Sequence, residues 1–242
     1  MKIKIKKVIK FSLIGVFGIV VSIVIALSLQ GYSVYKSKID EKPIQETFEQ
    51  VKNSDDYVAF DQLPLDYVNA VISVEDHRFF YRNGIDVIAV SKALIDNVLN
   101  QTVVRGGSTI TQQVAKNLYF DMSRVMSRKV AEIFFVNDIE SKYTKQEIFA
   151  TYVSIIYFGD GYYGIKDAAK GYLNKEVSEL DLCESALLAG LPQSPSVYQL
   201  SNHSETTYQR YLQVLAAMVE YNHISKSDYD YCRVNIPMGV NE

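Results

Sequence analysis

The residues able to do chemistry fall in a few short stretches of this chain. Val71-Ile72-Ser73-Val74-Glu75-Asp76 sets two carboxylates at the end of an apolar helical stretch, with Phe79 and Phe80 just beyond. Aromatic, low-dielectric surroundings push a carboxyl pKa upward, as a general base or acid near neutral pH requires. A surface acid pair at a helix end has the same spelling. Further on, Arg105-Gly106-Gly107-Ser108-Thr109 brings glycines, which let a backbone approach a ligand, to a Ser/Thr helix start. Unpaired N–H groups of that first turn would face an anion. Gln112 with Lys116, and Gln113 with Asn117, then stack at i,i+4, giving a cradle suited to phosphate and sugar together. Arg124, Arg128 and Glu132 share one helix face. They read either as an ion-pair ladder worth about 0.2–0.5 kcal/mol per pair, or as a diphosphate clamp with a second carboxylate.

The elements that must position these groups are helical. Apolar periodicity predicts helices over Tyr67–Phe80, Ile85–Asn100, Thr109–Tyr119, Val125–Lys142, Lys145–Tyr157, Ile165–Leu173, Glu179–Leu191, Glu205–Tyr221 and Lys226–Arg233. Thr144-x-x-Glu147 and Ser178-x-x-Asp181 look like capping patterns, and glycines and prolines mark the breaks. No strand series stands out, so the fold class is mainly α. Within Ile85–Val104, core packing is the ordinary reading and insertion at a membrane interface the alternative.

Lys2, Lys4, Lys6, Lys7 and Lys10 precede an apolar run from Phe11 to Leu29, long enough for the roughly 30 Å of a bilayer. A cleaved signal peptide shares that outline, but the run is long for one and no clean A-x-A site follows. The organisation is then a cytoplasmic tail (1–10), a transmembrane helix (11–31), a stalk (32–56) and an extracytoplasmic domain (57–242), oriented by the lysines. The 242 residues, 48% of them apolar, suffice for one such domain and not for two catalytic ones. Net charge is −3, and the domain without the N-terminal lysines is more acidic still. Yet Arg78, Arg82, Lys92, Arg105, Lys116, Arg124, Arg128 and Lys129 outnumber the acids between them, which favours an anionic ligand. Nucleic acid is excluded by the acidic domain and the anchor. Cys183 and Cys232 could pair outside the cytoplasm or remain buried thiols. His77, His203 and His223 lack metal-ligand spacing.

Taken in order, Glu75-Asp76-x-x-Phe79, Gly106-Gly-Ser-Thr-Ile-Thr-Gln-Gln113, Lys116-Asn117 and Arg128-Lys-x-x-Glu132 resemble the peptidoglycan glycosyltransferases, glycosyltransferase family 51. The likeness continues through Ile155-Ile-Tyr-Phe-Gly159, Gly164-Ile-x-x-Ala168-Ala169 and Leu188-Ala-Gly-Leu-Pro-Gln-Ser-Pro195. The resemblance implies a lysozyme-like lobe with a small membrane-proximal jaw. It implies Glu75 as general base and Glu132 as the second catalytic carboxylate. Substrate contacts would come from Asp76, Phe79, Lys92, Gly107, Ser108, Thr111, Gln112, Gln113, Lys116, Asn117, Arg124 and Arg128. Its substrates would be lipid II and the nascent glycan chain at the membrane, with a transpeptidase or other cell-wall synthesis proteins as partners. No cofactor is required, and Glu132 is the one candidate to meet a divalent cation, Mg or Mn.

The sequence departs from the family pattern at three places: Arg82 stands for the usual His, Lys92 for an Arg, and Tyr152-Val-Ser154 for Tyr-Leu-Asn. The only Ser-x-x-Lys match, Ser33–Lys36, lies beside the membrane segment, so the chain reads as monofunctional. Competing readings are a lysozyme-like hydrolase or lytic transglycosylase, which has no use for a cationic cluster, and a non-catalytic cell-wall scaffold.

Overall fold

The computed structural model describes residues 2–82, 84, 108–120, 126–202 and 205–237. The expected helix Ile85–Asn100 lies outside them, as do Lys92, Arg105, Gly106, Gly107 and Arg124. The rest bears out the mainly α expectation. Helix α1 (Lys2–Glu41) contains an apolar stretch, with mean hydropathy 2.5 in its most apolar window, long enough to cross a membrane. It does not stop where the sequence suggested a polar stalk. The helix runs on to Glu41 because its far end is packed: Tyr32 and Tyr35 meet Phe134, and the Tyr35 hydroxyl donates to Asp138 at 2.8 Å. Pro43, which lacks an N–H donor, then separates α1 from α2 (Ile44–Lys52).

Helix α3 (Leu65–Glu75) starts after Pro64 and ends five residues sooner than its periodicity suggests. Asp76 leaves the helical region at φ −161°, and a short 3-10 turn follows over Phe79–Tyr81. Helices α4 (Ile110–Tyr119), α5 (Met126–Lys142) and α6 (Lys145–Ile155) pack on one another. The Thr144/Glu147 box caps α6 as read. A small antiparallel hairpin, β1 (Tyr157–Gly159) and β2 (Tyr162–Tyr163), interrupts the helices where none was expected. Helix α7 (Gly164–Leu173) opens on a glycine at φ +82°, and a Cβ there would meet the Ser154 carbonyl oxygen at 2.6 Å. The next cap is one turn later than the Ser178 reading: Asp181 and Glu184 form the box that starts α8 (Leu182–Gly190). The short α9 (Pro195–Tyr198), α10 (Glu205–Glu220) and α11 (Lys226–Val234) complete the chain.

Helices α3, α8 and α10 form a second packed group, and one core runs through both groups. Tyr67, Phe79, Phe149, Tyr152, Leu187 and Val214 are among its fully buried members. Cys183 and Cys232 are joined in a disulfide that ties α8 to α11 across 49 residues, and the Tyr211 hydroxyl donates to the Cys232 carbonyl at 3.0 Å. Closing a loop of that length restricts the unfolded chain by about 2–4 kcal/mol. Replacing both cysteines by serine therefore lowers thermal stability by about that amount, and dithiothreitol treatment of the parent gives the same shift in calorimetry. A reducing agent that left the melting temperature unchanged would show that the bridge adds no constraint.

Candidate active site

Glu75 closes α3, and among the described residues each of its carboxylate oxygens has one donor. Gln113 Nε2 on α4 donates to Oε2 at 2.7 Å; Arg210 Nη2 on α10 donates to Oε1 at 3.1 Å. The ion pair is nearly sealed, with 6% of the Arg210 side chain and 12% of the Glu75 side chain exposed. Arg210 Nε also donates to the Gly190 carbonyl at 3.1 Å, at the partly negative C-terminal end of α8. Tyr152 is buried beside this pair, and burial, followed by the Glu75 charge, holds its phenol well above its ordinary pKa.

The mouth of α4 is not open to an anion in the way the sequence suggested. Asp76 Oδ2 accepts the Ile110 N–H at 3.2 Å, and Thr109 Oγ1 accepts the Gln112 N–H at 3.1 Å. Gln112 Oε1 reaches back to the Thr109 N–H at 2.9 Å, completing a capping box. Gln112 and Asp76 thus serve the helix start, and Thr111 Oγ1 donates to Glu140 at 2.6 Å. Phe79 is fully buried in an aromatic cluster with Phe80 and Phe149. These four were expected to touch substrate; among the described residues their contacts are with the protein itself.

The cationic side of the cleft is built from side chains. Lys129 Nζ bridges Ser108 Oγ at 2.8 Å and Glu132 Oε2 at 2.7 Å, while Arg128 Nε stands 3.5 Å from Glu132 Oε1. Glu132 is 1% exposed, and among the described residues its Oε1 accepts no hydrogen bond. Lys116 projects from α4 toward the same charges. It is exposed as a residue yet walled by protein, as in an open cleft, and this desolvation, then the Arg128 charge, holds its amine below the ordinary value. Asn117 is exposed on the same helix. Among the described residues no group of three or more His, Cys, Asp or Glu gathers to hold a metal, and a carboxylate flanked by Arg128 and Lys129 does not suit a divalent cation.

Two departures from the family pattern acquire partners. Arg82 grips Asp76, and the Ser154 hydroxyl accepts the Val58 N–H at 3.0 Å while donating to the Ala150 carbonyl at 2.8 Å. Arg210 was missed altogether. Its signal was a cation on the apolar stripe Tyr211, Val214, Leu215 and Met218 of α10, all buried.

A helical chain with one apolar N-terminal helix thus carries a doubly held carboxylate, Glu75, in the electrostatic neighbourhood of Lys116 and the cations around Glu132. Residues 40–219 match the Transglycosylase family, and the chain belongs to that family. Penicillin-binding protein 1A of Aquifex aeolicus is 36% identical over 243 residues, covering 94% of this chain and 33% of that protein. A monofunctional glycosyltransferase of Staphylococcus aureus (strain Newman) is 37% identical over 187 residues, covering 74% of this chain and 69% of its own length. This chain thus spans a third of the first relative and about two thirds of the second. A crystal structure of penicillin-binding protein 1A from Haemophilus influenzae shows 30% identity and a TM-score of 0.36, over 50% of this chain and 15% of that one, too slight to bear on the fold.

Because the folded state disfavours the charged form of Lys116, that group costs stability wherever both folded and unfolded states are protonated. The cost disappears as pH rises through the interval between its depressed pKa and 10.5. Lys116→Gln therefore melts above the parent at pH 7, with the difference closing as pH approaches 10.5. Thermal unfolding across pH measures this; a variant less stable at pH 7 would mean that Lys116 is held by its neighbours and not crowded by them.

Proposed function

We propose that the protein is a peptidoglycan glycosyltransferase that polymerises lipid II into β-1,4 glycan strands, its N-terminus cytoplasmic and its catalytic domain outside the membrane. The observation that carries this is one carboxylate, Glu75, held by two donors in a cleft that also gathers Lys116, Arg128 and Lys129 around Glu132. Glu75 removes the proton from the 4-hydroxyl of the acceptor N-acetylglucosamine. That oxygen forms a bond to C1 of the donor N-acetylmuramic acid as the C1–O bond to undecaprenyl diphosphate breaks, inverting the configuration. Gln113 and Arg210 fix the direction of the carboxylate and leave each oxygen a lone pair for the proton.

Charge grows on the departing diphosphate, where Lys116, Arg128 and Arg124 offset it. Glu132 keeps Arg128 and Lys129 in place between turnovers, and Ser108 and Asn117 lie at hand for sugar and phosphate oxygens. Lys92 and Gly107 complete the substrate contacts in this reading. The polymer would pass to a transpeptidase or other cell-wall synthesis proteins for cross-linking. A hydrolase that cuts finished glycan releases no diphosphate, and this cationic wall would have no task in it.

Purified full-length protein in detergent, given lipid II, yields glycan polymer, and Glu75→Gln lowers the rate by about 10²–10⁴-fold. Cleavage of finished glycan without polymerisation would replace this reading with the hydrolase. Inactivity in both assays would leave a scaffold.

A further inference from the structure

Asp76, Arg82, Glu140 and Lys145 form a buried charge set behind Glu75. Arg82 takes Asp76 with two nitrogens, Nε on Oδ1 at 3.3 Å and Nη2 on Oδ2. Its Nη1 donates to the Gly84 carbonyl and lies 3.6 Å from Glu140 Oε1. Glu140 in turn accepts Thr111 Oγ1 and the Gly84 N–H, and Lys145 Nζ stands 2.8 Å from its Oε1. The side chains of Arg82, Asp76 and Glu140 are 11%, 3% and 5% exposed, so each contact is made with little help from water. A planar guanidinium fixes a carboxylate in direction as well as in charge, which an ammonium does not.

Asp76 is the link to the reacting group. It follows Glu75 in the chain, and its Oδ2 accepts the Ile110 N–H that opens α4. Gln113, one turn along α4, donates to Glu75. We propose that Arg82 is a positioning residue for Glu75: by clamping Asp76 it fixes the end of α3 against the start of α4, and so fixes where Gln113 meets the base. This rests on Glu75 being the base, and Arg82 touches neither substrate nor the proton. Its effect belongs in the rate of the chemical step and not in substrate affinity.

The test uses full-length protein with lipid II, measuring kcat, KM and melting temperature, with the parent and Glu75→Gln in parallel. Arg82→Ala lowers kcat by about 10–100-fold with KM held within about threefold. Adding Asp76→Asn neutralises the buried acid that loses its partner while keeping an oxygen for the Ile110 N–H, so the double variant regains melting temperature and does not regain kcat. Arg82→Lys keeps the charge and loses the two-point grip: its melting temperature stays near the parent and its kcat falls. Should Arg82→Ala fail to fold, Arg82→Lys carries the test alone. Parental kcat in Arg82→Lys, recovery of kcat together with stability in the double variant, or a loss confined to KM would each overturn the assignment. A parent whose polymerisation is indifferent to Glu75→Gln would instead remove the reading on which it rests.

Discussion

A carboxylate that is to accept a proton, the role proposed for Glu75, has to be aimed without being used up, and Glu75 is held by donors from two helices that share no local sequence. Gln113 reaches it from α4 and Arg210 from α10, 38 and 135 residues away. Neither contact survives unless both helices stand at fixed angles to α3. Arg210 raises the cost of error: a buried guanidinium that lost its partner would leave an unpaired charge worth about 3–5 kcal/mol of destabilisation. The packing of α3, α8 and α10 is therefore tied to the geometry of the site, and the Gly190 carbonyl at the end of α8 gives Arg210 its second acceptor.

The same requirement explains the far end of the chain. Tyr211, next to Arg210 on α10, donates its hydroxyl to the Cys232 carbonyl, and the disulfide of Cys232 returns to Cys183 on α8. The bridge thus links α8 and α11, both of which pack on α10, the helix that carries Arg210. Cysteines so far apart gave no reason in advance to prefer pairing over free thiols, because nothing local in the sequence brings α11 back to α8.

Periodicity and caps made most helix positions legible, α4 through α6 above all, because their apolar stripes and the Thr144/Glu147 box act within a few residues. The errors occurred where a long-range partner overrode a local rule. Asp76 ends α3 early because its side chain serves another helix, and α1 outlives its apolar run because Tyr35 finds Asp138. The ordered motifs singled out Glu75, Gln113, Lys116 and Glu132, residues that the fold brings to one cleft or its electrostatic neighbourhood. The expectation of an anion at the mouth of α4 overlooked Thr109-x-x-Gln112, a capping box written in the sequence. Arg210 was harder to find, since a single cation on an apolar stripe names no partner.

Helix α5 carries the remaining constraint on two faces. Arg128, Lys129 and Glu132 look into the cleft; Val130, Phe134 and Asp138 receive α1. Gly31 packs so closely on Val130 that a Cβ would strike the valine side chain. Below that point, Leu13 to Ala26 is exposed on every side, as a segment solvated by lipid would be, whereas Gly31, Val34, Tyr35, Lys38 and Ile39 form a packed stripe. Val130 lies against Gly31, just past the end of the apolar run, and Arg128 and Glu132 are only about 3 Å away along the α5 axis. Under the proposed function, a diphosphate still attached to its lipid would then meet the cations at the depth where headgroups lie, without pulling its hydrocarbon chain into water. The transfer free energy of those methylenes, about 0.8 kcal/mol each, makes that depth decisive. A cleft raised by even a few residues of flexible stalk would need to recover it from contacts with the sugar.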